Sequence, residues 1–388
     1  MKTSSLIAVV VFTVGVIALV ILVVATNPWL GPEEKGEVAA GPSATPTASD
    51  TSLEEPLVLE NTPSPVATGK RLFEVCAWSR GARGSLTNAI RAGALDEVDF
   101  DWYHSRPNGT LVSEGEKSDL VAEAKGKGVR VLATVTNRKN HRSPFDAAIA
   151  GAILATAQTR SRHVDALVSL CLQKGYDGID LDWEMVDPAQ RDDLSLFVEE
   201  LAGKLHAKDK LLSMPVFPKN SEPGDWDSQK SEDYTRLGKA VDEFKVMTYS
   251  FSGPWGKPGA QMPLDWADAN LDFAESVVPP EKIYMGISFI GFDWSGKSAE
   301  IVSAKDVADL QERFLCRFRR DPGSKEVVLT YVDAHGRRHT AIYLDSRALA
   351  AKLDLLVKDH PRLAGIAIWV MGEEQPEFWN VIRRDLSE

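Results

Sequence analysis

The sequence predicts an α/β fold, a (β/α)8 TIM barrel, on three observations. From residue 70 onward, eight short apolar runs of strand type recur along the chain. Most are separated by runs with apolar residues at three- and four-residue steps, the period of an amphipathic helix. No Gly-rich dinucleotide loop follows the first run, which argues against an open doubly wound sheet. Repeated βα units imply a parallel sheet, and eight of them close it into a barrel.

In chain order, the first 26 residues come first. Lys2 is followed by an uncharged stretch that is strongly apolar from Leu6 to Ala25. About 20 apolar residues suffice to cross a bilayer as a helix. A cleaved signal has an apolar stretch of only ~7–15 residues and an A-x-A-like site, and no such site stands here. The expectation is a signal anchor over residues 1–26, with Lys2 on the cytoplasmic side and the rest translocated. Secretion after cleavage is the alternative. Residues 27–69 are rich in Pro, Ser, Thr, Ala and Gly. Such composition cannot bury enough apolar surface to order itself, so a flexible linker is expected.

The strand candidates are 72–78, 97–103, 129–137, 176–184, 211–217, 244–251, 282–291 and 365–372; 161–175 and 193–208 exemplify the helices. The interval before the last strand is too long for one connection. It holds KEVVLTYVD and RRHTAIYLD around Ala-His-Gly, which reads as a hairpin, after a helical SAKDVADLQERFL. A small α+β insertion is therefore expected at 296–346, followed by the barrel's own helix. The barrel as a whole is expected over 70–388.

Composition narrows the function. The chain carries 56 acidic and 44 basic residues, a formal charge of −12, and no basic stripe, which speaks against a nucleic-acid partner. Cys76, Cys171 and Cys316 are too few and too far apart for a disulfide framework or a zinc site. They read as small buried hydrophobes.

The stretch that points to chemistry is DGIDLDWE, 177–184. Ile179, Leu181 and Trp183 alternate with Asp180, Asp182 and Glu184, so three acids share one face of a strand. In a barrel, active groups come from the C-terminal ends of strands, which places Glu184 at the mouth with Asp182 and Asp180 behind it. Neighbouring carboxylates raise each other's pKa, so the outermost acid can stay protonated near neutral pH, as a general acid must. A calcium or magnesium cage is disfavoured because the stretch is a strand without the required loop glycine. His335 and His339 flank a hairpin turn rather than one helix face, so no zinc pair is assigned there. The acidic 224–233 reads as a solvated loop.

These residues carry a resemblance. DGIDLDWE fits the D-x-x-D-x-D-x-E signature of family 18 glycoside hydrolases, the chitinase-type family, at every fixed position. VMTYS (246–250) resembles the family's sixth-strand M-x-Y-D motif, and AIWVMG (367–372) its eighth strand. The insertion falls where the family carries its small α+β domain. The loop sequence from Ser250, the GFDW after the seventh strand and EEQPEFWNVI near the C-terminus resemble the bacterial branch of spore-cortex-lytic and spore-germination N-acetylglucosaminidases. The resemblance spans 71–388.

It implies a substrate-assisted, retaining glycosidase acting on β-1,4 bonds after N-acetylglucosamine, in peptidoglycan or chitin-like polymers, with no cofactor and no metal. Glu184 is then the acid and base, Asp182 the partner of the substrate acetamide, Asp180 its proton-sharing neighbour, and Tyr249 a donor to the acetamide oxygen. Asp177 and Gly178 are structural within the motif. Trp369 is expected to stack on the sugar or else to be a core tryptophan. Met247 lines the pocket or the core, Asn137 binds sugar or caps a loop, and Trp255 forms part of the groove. Trp102, Tyr103 and Trp294 are further groove candidates. Ser250 stands where the family motif has Asp. The partners implied are an N-acetylglucosamine-containing polysaccharide and, through the N-terminal helix, a membrane, with the barrel extracytoplasmic. A lectin-like member of the same fold is the alternative, although such members usually lack the glutamate.

Overall fold

The computed structural model describes residues 71–387. The expected anchor (1–26) and linker (27–69) lie outside them. Among the described residues, no helix is long and apolar enough to cross a membrane.

The strands, in chain order, are β1 (Glu74–Ser79), β2 (Glu97–Ser105), β3 (Leu111–Ser113), β4 (Arg130–Thr136), β5 (Gly178–Asp182), β6 (Leu211–Val216), β7 (Glu243–Val246), β8 (Ile283–Ser288), β9 (Ile290–Ser295), β10 (Ser298–Ser303), β11 (Arg317–Arg320), β12 (Val327–Val332), β13 (Arg338–Tyr343) and β14 (Gly365–Trp369). Eight of them, β1-β2-β4-β5-β6-β7-β8-β14, are parallel neighbours, and β14 returns to β1. The closed barrel is the one the repeats predict. Strand β3 extends the outer end of β2 as an antiparallel ribbon, pairing Tyr103 with Ser113.

Alternation decides which side chains go where. Val131, Ala133 and Val135 of β4 and Ile179 and Leu181 of β5 join the buried layer between sheet and helices. Their neighbours Thr134, Thr136, Asp180 and Asp182 are also buried, but on the inner face. The helix Ala157–Lys174 starts from a Thr156–Thr159 capping box and ends at Gly175, whose φ of 71° is the left-handed cap that glycine adopts without strain. It delivers the chain directly to β5.

The second sheet, in the order β10-β9-β13-β12-β11, is antiparallel throughout. It begins at Ile290, ahead of the expected 296. The run 282–291 is two strands, not one. It breaks at Phe289, whose main-chain N–H donates to the Trp369 carbonyl at 2.6 Å. Buried Glu326 ties this sheet to the barrel. It accepts the N–H groups of Gln261 (2.7 Å) and Met262 (3.1 Å) and pairs with Lys352 at 3.1 Å.

Candidate active site

Strand β5 can sit this close to β6 because residue 178 is glycine. A Cβ there would lie 2.5 Å from the Leu211 carbonyl oxygen. Asp177, just before it, binds across to β4. Its carboxylate accepts the Val131 N–H at 2.9 Å and the Lys125 ammonium at 2.7 Å. Both residues hold the lower end of the strand in register.

Asp180 is fully buried and saturated with donors. One oxygen accepts the Trp78 indole N–H at 2.8 Å and the Thr134 hydroxyl at 3.0 Å, and the other accepts the Ser213 hydroxyl at 2.8 Å. Four barrel strands, β1, β4, β5 and β6, therefore meet on this one carboxylate. Asp182 comes next on the same face. Burial, and then the negative charge of Glu184, push its pKa well above the usual carboxylate range, against the pull of Arg138.

Glu184 stands just past the strand end, half-buried at the mouth. Asn137 fixes its main chain from both sides. The Asn137 amide accepts the Glu184 N–H at 3.0 Å and donates to the Glu184 carbonyl at 2.7 Å. Met185, with a φ of 60°, then turns the chain away. Burial pushes the Glu184 pKa up to about 7, with the Arg138 guanidinium opposing. A carboxyl poised there exchanges its proton near neutral pH, which suits a group that must be acid in one step and base in the next.

Tyr249 leans into the same charge field. Its phenol is held well above the ordinary value by burial, with the charges of Glu184, Asp182 and Asp180 adding to it, so it remains a neutral donor. Room for it comes from Gly286, where a Cβ would lie 2.9 Å from the tyrosine ring. Met247 directly follows β7 and is 8% exposed. Ser250 takes a φ of 58°, the left-handed region that Asp and Asn also tolerate.

Trp369 ends β14 half-exposed. The Trp78 ring meets it edge-on with centroids 6.0 Å apart, and the Arg80 guanidinium lies 5.3 Å from its centroid. It is therefore accessible at the mouth, unlike a core tryptophan. Trp255 is exposed on the loop after β7, its ring laid across Gly253.

Asn137 is fully buried, and its NH2 is used on the Glu184 and Asp146 carbonyls, so of its two expected places it takes the loop-capping one. One expectation needs correction. Trp102, Tyr103 and Trp294 are buried and do not line a groove. A register shift interrupts β2 between Asp101 and Tyr103, and Trp294, on β9 of the second sheet, packs with Val328 and Ile342. Trp102 stacks on Phe100 at 4.0 Å, and Tyr103 shares a hydrogen bond with Tyr176 at 3.0 Å.

The structure also adds residues that the motifs did not reveal. On β2, Glu97, Asp99 and Asp101 form a second inward row of acids, all fully buried. Lys245 of β7 answers the lower two, with its ammonium 3.0 Å from Glu97 and 2.7 Å from Asp99. It also lies 3.1 Å from Glu243 and 3.8 Å from Asp180. Arg138 and Arg80 answer Asp101 at 3.1 and 2.8 Å. The alternation in EVDFD was the available signal for the acids. The cations carried none, because their partners are remote in sequence.

A single glutamate at a barrel mouth, with a buried acid behind it and a phenol beside it, can protonate a leaving oxygen while its neighbour holds a developing positive charge. Comparison with known proteins agrees. The model for glycosyl hydrolases family 18 matches residues 78–374. The chain belongs to glycosyl hydrolases family 18. It is similar to the uncharacterized glycosylase YvbX of Bacillus subtilis, at 26% identity over 75% of this chain and 84% of that one. It is also similar to the cortical fragment-lytic enzyme of Bacillus anthracis, at 26% identity over 77% of this chain and 70% of that one. The crystal structure of a chitinase from Chromobacterium violaceum superposes with a TM-score of 0.75 at 27% identity, covering 81% of this chain and 99% of that one. The spore cortex-lytic enzyme SleL of Bacillus cereus gives 0.74 at 25% identity, covering 84% and 76%. As a family 18 member with this site, the protein is a glycoside hydrolase.

Proposed function

We propose that this family 18 hydrolase cleaves β-1,4 bonds after N-acetylglucosamine in peptidoglycan, with retention of configuration and with the substrate's own acetamide as nucleophile. The observation that carries the reading is Glu184, pushed up to about 7 directly above a buried acid whose charge it opposes. Glu184 gives its proton to the glycosidic oxygen as that bond breaks. The acetamide oxygen bonds to the anomeric carbon and forms an oxazolinium. Asp182 passes its proton to the neighbouring Asp180 carboxylate, accepts the acetamide N–H and steadies the positive charge, and Asp180, anchored by Trp78, Thr134 and Ser213, keeps Asp182 in place. Tyr249 donates to the acetamide oxygen. Glu184, now a carboxylate, takes a proton from water as it opens the ring. No second carboxylate nucleophile at about 5 Å is needed. Trp369 offers its ring to the sugar.

Peptidoglycan is preferred over chitin because relatives such as the Bacillus anthracis enzyme are named for cortical fragment lysis. The apolar segment at 1–26 supports a membrane tether that holds the barrel outside the cytoplasm. A sugar-binding protein with little turnover is the second reading, and Ser250 in place of the motif's Asp is the observation that favours it.

The test incubates the full chain in mild detergent, wild type beside Glu184→Gln, with purified peptidoglycan and with chitin oligomers. Mass spectrometry reads the released ends. Products ending in N-acetylglucosamine from wild type alone, and mainly from peptidoglycan, are expected. Sugar binding by both proteins with no release from either would sink the hydrolase reading.

A further inference from the structure

Beside the catalytic mouth, on the outer end of β2, two histidines and a glutamate converge from three separate segments. His104 is on β2, Glu114 directly follows β3, and His141 is in the loop after β4. Their ligand atoms all lie within 4.8 Å of one another. His104 Nε2 is 3.2 Å and His141 Nδ1 3.8 Å from the same carboxylate oxygen, Glu114 Oε2. Four ligands at about 2.0–2.1 Å from a tetrahedral zinc stand about 3.3 Å apart, so the triangle is close to that size. The rings meet edge to face, 78° apart with centroids at 4.9 Å. They do not stack, and their nitrogens are free to converge.

Hydrogen bonds orient both rings. His141 Nε2 is 2.8 Å from the Asp101 carbonyl oxygen. A carbonyl only accepts, so Nε2 carries the proton, and the neutral ring then presents a lone pair at Nδ1. What faces that lone pair is the Glu114 carboxylate, another acceptor, at 3.8 Å and beyond hydrogen-bond reach. His104 Nδ1 lies 2.8 Å from the Thr136 hydroxyl, and its Nε2–H donates to the Glu114 carboxylate at 3.2 Å, a proton that a bound cation would displace. Glu114 Oε2 is itself held by the His141 main-chain N–H at 2.9 Å. Each ligand thus has an outer partner that fixes its direction, as metal-binding histidines usually do. His104 is 1% exposed, while His141 and Glu114 are 18% and 43% exposed, so the site is open on one side to water.

We propose that His104, Glu114 and His141 bind one divalent transition cation of the zinc class, with water completing its shell. Two imidazoles and one carboxylate suit zinc or its first-row neighbours and not magnesium or calcium, which prefer all-oxygen shells. The cation would clamp β2, β3 and the loop after β4 together. That loop also carries Arg138, through which Asp101 and Glu184 share one charged neighbourhood. The clamp is separate from the sugar chemistry and does not depend on it.

The test uses the purified full chain, stripped with a chelator. Equilibrium dialysis should show one Zn²⁺ bound per chain, and neither Ca²⁺ nor Mg²⁺. Loss of an outer partner costs a metal site ~10–100-fold, so His141→Ala and Glu114→Gln, which remove ligands, should weaken zinc by at least ~100-fold. Their thermal midpoints in chelator give each variant its own baseline, and only the wild-type midpoint should climb with added zinc. A readout that needs no variant is carbethoxylation of wild type by diethyl pyrocarbonate, followed by mass spectrometry. Zinc should protect His141 and leave the exposed His206 and His335 reactive. Failure of wild type to bind zinc, equal binding by the variants, calcium binding in place of zinc, or unprotected His141 would each overturn the proposal.

Discussion

Lys245→Met tests the charge cage beneath the acids proposed for catalysis. The ammonium is fully buried, within 2.7–3.1 Å of Asp99, Glu97 and Glu243. Glu97 is pushed from 4.5 down to about 2, because Lys245, the hydrogen bond from Glu243, and Arg130 together outweigh its burial. At about 1.4 kcal/mol per pH unit, that drop is worth about 3 kcal/mol. It agrees with the ~3–5 kcal/mol that breaking a buried pair costs. Because Glu97 has a lower pKa folded than unfolded, this stability is present above pH 4.5 and is lost as pH falls towards about 2. Asp99 and Glu243 are already held well above their usual range by burial. Without the ammonium, only Arg130 and the Glu243 hydrogen bond oppose the burial of Glu97, and its folded pKa should move above its unfolded one. Its contribution then reverses sign. The variant loses stability as pH rises above about 4.5, where the unfolded chain gives up the proton that the folded chain must keep. At roughly 2 °C per kcal/mol for a domain of this size, the midpoint should fall by ~6–10 °C at pH 7. The deficit should be clearly smaller at pH 5. Thermal unfolding followed by circular dichroism at both pH values decides it. A deficit that is equal at the two would refute the reasoning, since mere loss of packing does not depend on pH.

Two further variants probe the mouth. A general acid works only while protonated, so kcat/KM should fall as pH rises through about 7, the Glu184 value; Arg138→Met removes the opposing positive charge and should move that basic limb up by about 1 pH unit, and a limb that stays put would exclude Arg138 as the tuning charge. Asn137→Ala removes both hydrogen bonds that hold the Glu184 main chain; leaving those groups unpaired should cost about 1–3 kcal/mol of stability and should lower kcat far more than it raises KM, whereas a pure KM effect would return Asn137 to the sugar.

The acidic strand β5 was legible in the sequence because its period of two is local. Asp180, Asp182 and Glu184 announce a common face by spacing alone, and the eight repeats announce a barrel. The same rule applied to EVDFD would have exposed Glu97, Asp99 and Asp101, yet apolar neighbours made it read as an ordinary strand. Lys245 sat unnoticed inside FKVMTYS because its meaning lies in acids on β2, nearly 150 residues earlier, at the far side of the closed barrel. Trp102 misled because it follows Val98 and Phe100 on the helix-facing side of β2, where it stacks on Phe100 instead of opening to a groove. The uninterrupted apolar run 282–291 hid the break at Phe289, which is set by the Trp369 carbonyl of a distant strand. Asn137 illustrates the same limit. Its place at a strand end was readable, but the partner that uses up its amide, the Glu184 main chain, was not.

The most direct test of the account is the anomeric form of the first product. The full-length wild-type protein would be given a soluble β-1,4-linked N-acetylglucosamine oligomer, with proton NMR spectra recorded before the released ends equilibrate. Substrate assistance by the acetamide, with Glu184 as acid and then base, predicts that the β-anomer appears first and that Glu184→Gln releases none. An α-anomer appearing first would mean direct attack by water, and would contradict the mechanism built on Asp182, Glu184 and Tyr249.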